Sequence, residues 1–526
     1  MTRTTTNATA IAAAILMIAG IGAAAQPDGP APMPAGGWHD VTDYGAAADG
    51  VTDDTDAFQR ALDAASAQGG VVWAPSLGPG RGYVITRTVR VPEGVALIGS
   101  PAGVTTNSTA AFPYPEQNVI GSKIYARPAP EEYAGSEKRP LFLLERGCTV
   151  RGLVILYDEQ PWPTDDEFQD PESPYHYASF EEARERFIAD HIRPYGPTFY
   201  VPAATNNVIE DIVCDRYYDF LHMRFCGKTY VNRIFCYGVK RAFVYGEGLD
   251  INRLSHVHVV PNAGASCPGP APGLGTWTWI YAILASQDDN VGIVMGRNDG
   301  YVLDDVFFFG MHTALRLGAS REYPLVDSVA GDAMWYDVET QESHGFRAGS
   351  YVGQGPWGEI TGFKVDQCAV GVHFVWPAHL ANRIANALIF TAIDDGRSFD
   401  AVRGDGDLDR VGKQGAFVVE PSYSLANNVG IVGTFLCNNT LIASFNDAPR
   451  FGPAAANAAD ANGRVFLING DITMDFSGML MNHPYQADRV HAIGPDSERA
   501  HIAVRGLVRT GVPQPDLLIQ HPAPAP

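Results

Sequence analysis

One short pattern returns along the chain and restricts it to a stack of coils. Ile209-Glu210-Asp211-Ile212-Val213-Cys214 comes back 22 residues later as Val231-Asn232-Arg233-Ile234-Phe235-Cys236, and 20 residues after that as Ile251-Asn252-Arg253-Leu254-Ser255-His256. Leu303-Asp304-Asp305-Val306-Phe307-Phe308, Thr361-Gly362-Phe363-Lys364-Val365, Ala381-Asn382-Arg383-Ile384 and Asn428-Val429-Gly430-Ile431 continue the series. Each copy is a short apolar strand with a polar turn beside it. One such unit cannot bury its apolar side alone, whereas a stack of them buries a continuous core. Rungs of a stack lie about 4.8 Å apart, so one position in each coil becomes a column. Cys214 and Cys236 then share an interior column and read as stacked, buried thiols.

The start of the chain carries a second constraint. Asp43-Tyr44-Gly45-Ala46, Asp49-Gly50, Thr52-Asp53-Asp54-Thr55 and Ala57-Phe58-Gln59 are followed by Gly69-Gly70-Val71-Val72. Read physically, a strand meets a Gly/Asp turn. A helix follows, with acidic and hydroxyl side chains at its positive end and an apolar face of Ala57, Phe58, Ala61, Leu62 and Ala65. Gly69-Gly70 ends it, and strands follow at Val71–Pro75, Tyr83–Thr86 and Val95–Gly99. These strings resemble the N-terminal motif of the pectate-lyase-like superfamily, of the rhamnogalacturonase, pectate lyase and epimerase type. The resemblance covers about 60 residues. It implies an all-β fold, a single-stranded right-handed parallel β-helix with an N-terminal capping helix and long loop insertions. It implies cap and turn roles for the aspartates of the motif, and it fixes the fold rather than the reaction.

Composition agrees with a large exported β protein. Apolar residues make up 46% and charged residues 18%, with 55 Gly and 37 Pro, which suits a turn-rich core rather than a disordered chain or a helical bundle. The net charge of −22 repels phosphate backbones and excludes nucleic acid as the expected partner. Residues 1–25 read as a signal peptide: Arg3 supplies the positive region, Ala10–Ala25 the apolar one, and Ala23-Ala24-Ala25 the cleavage site. The mature chain is expected to be secreted or periplasmic, without a membrane anchor. A linker (26–37), the β-helix (38–512) and a frayed Pro-rich tail (513–526) are expected to follow, with insertions at about 157–200 and 261–290. Seven cysteines with no C-x-x-C pair indicate neither a disulfide scaffold nor a zinc site.

Columns also suggest where chemistry sits. With Ile212, Ile234, Val306 and Phe363 set level, the positions ten residues on are His222, Val244, Arg316 and His373, and their neighbours on both sides are apolar. Strand alternation points His222, Arg316 and His373 outward on one face, with Arg224 beside them. Three residues after the level set come Asp215, Tyr237, Val257, Phe309 and Asp366. Asp215, His222, Asp366 and His373 are the candidate catalytic side chains. Arg224, Arg316, Trp277 and Trp279 are the candidate sugar-binding ones: Arg grips a carboxylate bidentately and Trp packs on a sugar ring. His serves as acid or base near neutral pH, and paired carboxylates serve glycosidases. His256 and His258 alternate on a strand and so would share one face, without a third metal ligand.

Polygalacturonases of this fold carry N-T-D, G-D-D, G-H-G and R-I-K. Here only Arg297-Asn298-Asp299-Gly300, Asp304-Asp305 and Ser343-His344-Gly345 come near, so that site is absent or strongly altered. Asp394-Asp395 and Asp405–Asp409 are weak Ca²⁺ candidates, and Ca²⁺ is expected only if the chemistry is that of a lyase; no metal site is assigned. The leading expectation is an enzyme that cleaves a polysaccharide containing uronate, by hydrolysis or β-elimination. The alternatives are a non-catalytic glycan-binding or surface-adhesion β-helix, and an epimerase on the same scaffold. Polysaccharide is the expected partner.

Overall fold

The computed structural model describes residues 37–101 except 68 and 79, 121–260 and 279–326, and beyond these chiefly the strands between 333 and 520. The repeat closes into three parallel faces. The first is built from Val71–Ala74, Ala96–Gly99, Thr149–Arg151 and the opening residues of the long strands Val208–Arg224 and Tyr230–Tyr245. The second takes Gly82–Ile85, Ser122–Ala126, Leu153–Leu156 and the middle of the same long strands. The third takes Val89–Val91, Phe142–Leu144, Phe199–Pro202 and the ends of the long strands. It continues through Val291–Met295, Thr313–Leu317 and Val370–Phe374. The chain visits the faces in that order once per coil, which makes a right-handed parallel β-helix.

From Gly152 onward the corner between the first and second faces is a residue in the left-handed region, whereas residues 75–81 and 100–121 join these faces in the first two coils. Gly152, Asp211, Arg233, His256, Asp305, Gly362 and Asn386 occupy it in successive coils, with φ from 51° to 75°. One such residue turns the chain without breaking either strand, so Val208–Arg224 runs through the bend. The column corrects one register. Val257, not Leu254, stands level with Ile234, so the residue level with Asp215 and Tyr237 is Val260 rather than Val257. It also corrects the histidine pair: His256 is an exposed corner residue and His258 a half-buried second-face residue, so they share no face.

The interior is apolar, with Leu97, Val150, Ile209, Val231 and Leu254 at or near zero exposure. Cys214 and Cys236 pair in register and are free and buried, as the offset of 22 predicts. Buried asparagines carry the turn between the third and first faces. Asn207 accepts from Cys148 N (2.8 Å), and Asn252 accepts from Thr229 N (3.1 Å) and donates to Asn298 (3.0 Å), so backbone groups there stay satisfied. The helix Thr55–Ser66 packs its predicted apolar face across the first strands. Asp54 accepts from Ala47 N and Ala48 N, and Asp53 from Thr55 N, so these motif aspartates build turns.

Long excursions leave from the other two corners. Residues 157–198 and 260–290, of which 261–278 lie outside the described residues, join second- to third-face strands. A third, between Leu317 and Trp357, lies on the opposite border of the third face and is not among those expected from the sequence. It contains a small antiparallel sheet of Leu325–Val326, Ala333–Asp337 and Glu342–His344. The tail also departs from expectation. Leu517–Gln520 pairs antiparallel with His501–Arg505 and covers part of an edge that a parallel stack leaves open. Among the described residues no helix is long and apolar enough to cross a membrane.

Candidate functional site

The third face is the floor between excursions that leave from both of its borders. Its register reproduces the expected column and adds one member: His222, Val244, Val294, Arg316 and His373 lie on successive rungs. The expected exposure is wrong. His222, Arg316 and His373 are only 3%, 5% and 2% exposed. Over the same face the third excursion packs Ala319, Leu325 and Met334 on Val244, Val291 and Val294 in a second apolar cluster outside the solenoid, and sets Tyr323 against Arg316 and His373. Strand parity decides which way a side chain points; covering segments decide whether water reaches it.

Two charged groups share this floor. In the first, Asp219 is fully buried and takes a two-pronged contact from Arg241, Nε to Oδ1 at 2.9 Å and Nη2 to Oδ2 at 2.7 Å. His222 Nε2 stands 3.4 Å from Asp219 Oδ2. Burial alone would raise the Asp219 carboxyl, but Arg241 and His222 outweigh it and hold the group well below the ordinary carboxylate range. Neither ring nitrogen of His222 has a hydrogen-bond partner. In the second group Arg316 donates from Nε to His373 Nδ1 at 3.3 Å and from Nη2 to the Asp288 carbonyl at 2.6 Å. Tyr323, from the third excursion, lies 4.7 Å from the Arg316 guanidinium and edge-on to His373. His312 sits close by; burial, then Arg316 and His373, push its imidazole down to about 3, so it is neutral.

The rim is more open. Lys240 pairs with Asp289 and lies 5.3 Å from the Tyr218 ring centre. Burial would lower the Lys240 amine, but Asp289 and Tyr218 raise it, so it stays a cation. The wall on this side is aromatic. Trp279 stacks on Phe168 (5.6 Å, 27°), and Trp162 and Tyr281 pack on Tyr237. Trp279 is therefore half-buried in the wall rather than an open sugar platform, and Trp277 lies outside the described residues.

Asp215 and Asp366 do share a column, in the order Asp215, Tyr237, Val260, Phe309, Asp366. That places them four rungs apart, about 19 Å, far beyond the roughly 5–10 Å of a glycosidase carboxylate pair. Asp215 is buried and Asp366 half-buried. Arg224 is half-buried at the far border, its guanidinium over Phe225. Asp394, Asp395 and the 405–409 aspartates lie outside the described residues. Among the described ones no three His, Cys, Asp or Glu side chains converge to hold a metal. Asp219, Arg241, Lys240 and Asp289 are site residues that the sequence pattern alone does not single out. A signal for the first pair was present: Asp219 and Arg241 are 22 residues apart, the offset of Ile212 and Ile234, so opposite charges meet on adjacent rungs.

Comparison with known proteins bears on the N-terminal part most directly. The family described as rhamnogalacturonase A/epimerase, pectate lyase-like, matches residues 38–143. Three solved structures are similar over most of the chain. An exopolygalacturonase from Thermotoga maritima has 10% identity, 92% and 94% coverage of this chain and its own, and a TM-score of 0.42. The mannuronan C-5 epimerase A-module of Azotobacter vinelandii has 11%, 90% and 94%, and 0.44. DFA-IIIase from Arthrobacter chlorophenolicus has 13%, 90% and 92%, and 0.45. No curated protein matches the sequence.

Proposed function

We propose, on the premise that the chain belongs to the pectate-lyase-like superfamily of right-handed β-helices, that it is an exported carbohydrate-active enzyme cleaving a uronate-containing polysaccharide in the third-face cleft. The observation that carries this reading is His222, one nitrogen 3.4 Å from the ionised Asp219 and the other without a partner. A histidine turned by a carboxylate on one side and bare on the other is laid out for proton transfer. His222 is the proposed base and Asp219 the residue that orients it, with Arg241 keeping Asp219 ionised. Arg316, steadied by His373, and Lys240 supply positive charge where a sugar carboxylate would gain electron density. This set favours β-elimination beside a uronate over hydrolysis by Asp215 and Asp366, which are too far apart to act together. His222 is 3% exposed in the free protein, so the proposal requires that the cover over it opens for substrate.

The test is a panel of uronate and neutral polysaccharides with purified mature protein, reading reducing ends and the absorbance of unsaturated uronate, with and without chelator. His222→Ala should lower turnover by about 10²–10⁴. Full activity in that variant overturns the assignment, and product of unchanged chain length would indicate epimerisation by the same base. Export predicts a mature chain starting near Gln26; an intact Met1 on exported protein, found by N-terminal sequencing, overturns it.

A further inference from the structure

We infer that Lys240 and Tyr218 form the docking point for the carboxylate of an acidic sugar, and that Asp289 is a built-in competitor occupying it in the free protein. The inference rests on the proposed sugar-binding role of the cleft and adds to it a residue that sets selectivity. Of the cations in the cleft, Arg241 is consumed by Asp219 and Arg316 by His373 and the Asp288 carbonyl, both beneath the surface. Lys240 is reachable: its side chain is 21% exposed, and that of its partner Asp289 is 42% exposed. The ammonium has three donors, and a carboxylate from solution can share or replace the one that Asp289 takes. The Tyr218 ring beside it offers an apolar surface for the face of a pyranose.

Asp289 can leave without disturbing the backbone that carries it. Its two neighbours are fastened to coils on either side. The Asp288 carbonyl accepts from Arg316, while Asn290 donates to the Val239 carbonyl (2.9 Å) and accepts from His312 N (3.1 Å). The segment is pinned and only the Asp289 side chain is free to swing. The arrangement excludes neutral sugars from any benefit, since they bring no charge to replace the one displaced.

The experiment is calorimetric titration of wild type, Asp289→Asn and Lys240→Met with trimers of galacturonate, mannuronate and glucuronate, and with the methyl ester of each. Thermal unfolding checks that each variant is folded. Asp289→Asn should bind at least one acidic trimer about 2- to 5-fold more tightly, the scale of one partly exposed charge pair, and leave its ester unchanged. Lys240→Met should bind that acid and its ester alike. Unchanged or weaker acid binding in Asp289→Asn, or a retained acid preference in Lys240→Met, overturns the inference. Tighter acid binding without turnover on any polysaccharide keeps the docking point and removes the cleavage proposal. Turnover that ignores both substitutions removes the docking point and the charge assigned to Lys240, and keeps cleavage with His222 as its base.

Discussion

The outward columns of the second and third faces start from the same geometry and end in different surroundings. Both project from parallel rungs at one spacing. On the second face Phe235 packs at a tilt on His258 and His258 edge to face on Phe307, all three half-exposed, with Lys364 next in line. On the third face His222, Val244, Val294, Arg316 and His373 are buried. Where these columns stand, the second face meets the first at a one-residue corner, whereas both borders of the third face carry long excursions. Burial outside a solenoid is thus set by corners, and polar residues come to lie under cover where two corners are permissive.

The widest gap between the faces should come from their ion pairs. Asp219→Ala strands Arg241 in a buried site and should cost about 3–5 kcal/mol, whereas Asp305→Ala, which releases the half-exposed Lys364, should cost less than about 1 kcal/mol. Urea denaturation of both variants measures the contrast, and equal losses would break it. Next come the apolar covers. Leu325→Ala removes a fully buried contact over the third face and should cost about 2–3 kcal/mol, while Leu388→Ala, 38% exposed on the second face, should stay within about 0.5 kcal/mol. The first should also quicken the reaction of His373 with diethyl pyrocarbonate; an unchanged rate would mean that the excursion is not its shield.

The smallest effect is a dependence on pH. His312, at the start of a third-face strand, has its folded value pushed down to about 3 from 6.5, chiefly by burial and then by Arg316 and His373. The folded protein then binds fewer protons than the unfolded chain. Stability should be full above pH 6.5 and decline as the pH falls toward 3, by about 1 kcal/mol once partial solvent contact is allowed for. His312→Asn should flatten that decline. A steeper fall in the variant, seen by denaturation at pH 7, 5 and 4, would show that another group controls it.

What could be read from sequence was whatever repeats. Strand residues recur because each coil needs the same interior, so the columns of Cys214 with Cys236 and of His222 with Arg316 and His373 were legible. The slip at Leu254 shows the limit: Ile251-Asn252-Arg253-Leu254 spells like its predecessor, yet the left-handed corner falls at His256, where the backbone and not the letters sets register. The excursion after Leu317 escaped because Ala333–Asp337 pairs antiparallel with its neighbours and so stands outside the repeat. Without that excursion His222, Arg316 and His373 read as solvent-facing. Asp219 and Lys240 escaped because a charge next to an apolar run looks like ordinary surface until the adjacent rung supplies its partner.

The one-residue corner has a consequence for how such a chain can change length. At the border between the third and first faces, and between the second and third faces wherever the strand stops as at Leu156 and Val259, a segment of any size can be added because the strand there has already ended. At Asp211, Arg233 and His256 the strand runs straight through, so a single added residue would turn every later side chain of that coil inside out. In the coils with a one-residue corner, growth along that seam is therefore quantised: whole coils can be gained or lost, fractions of one cannot. A family built on this frame can lengthen its cleft by doubling a coil and reshape the walls by swapping excursions, two edits that do not interfere with each other.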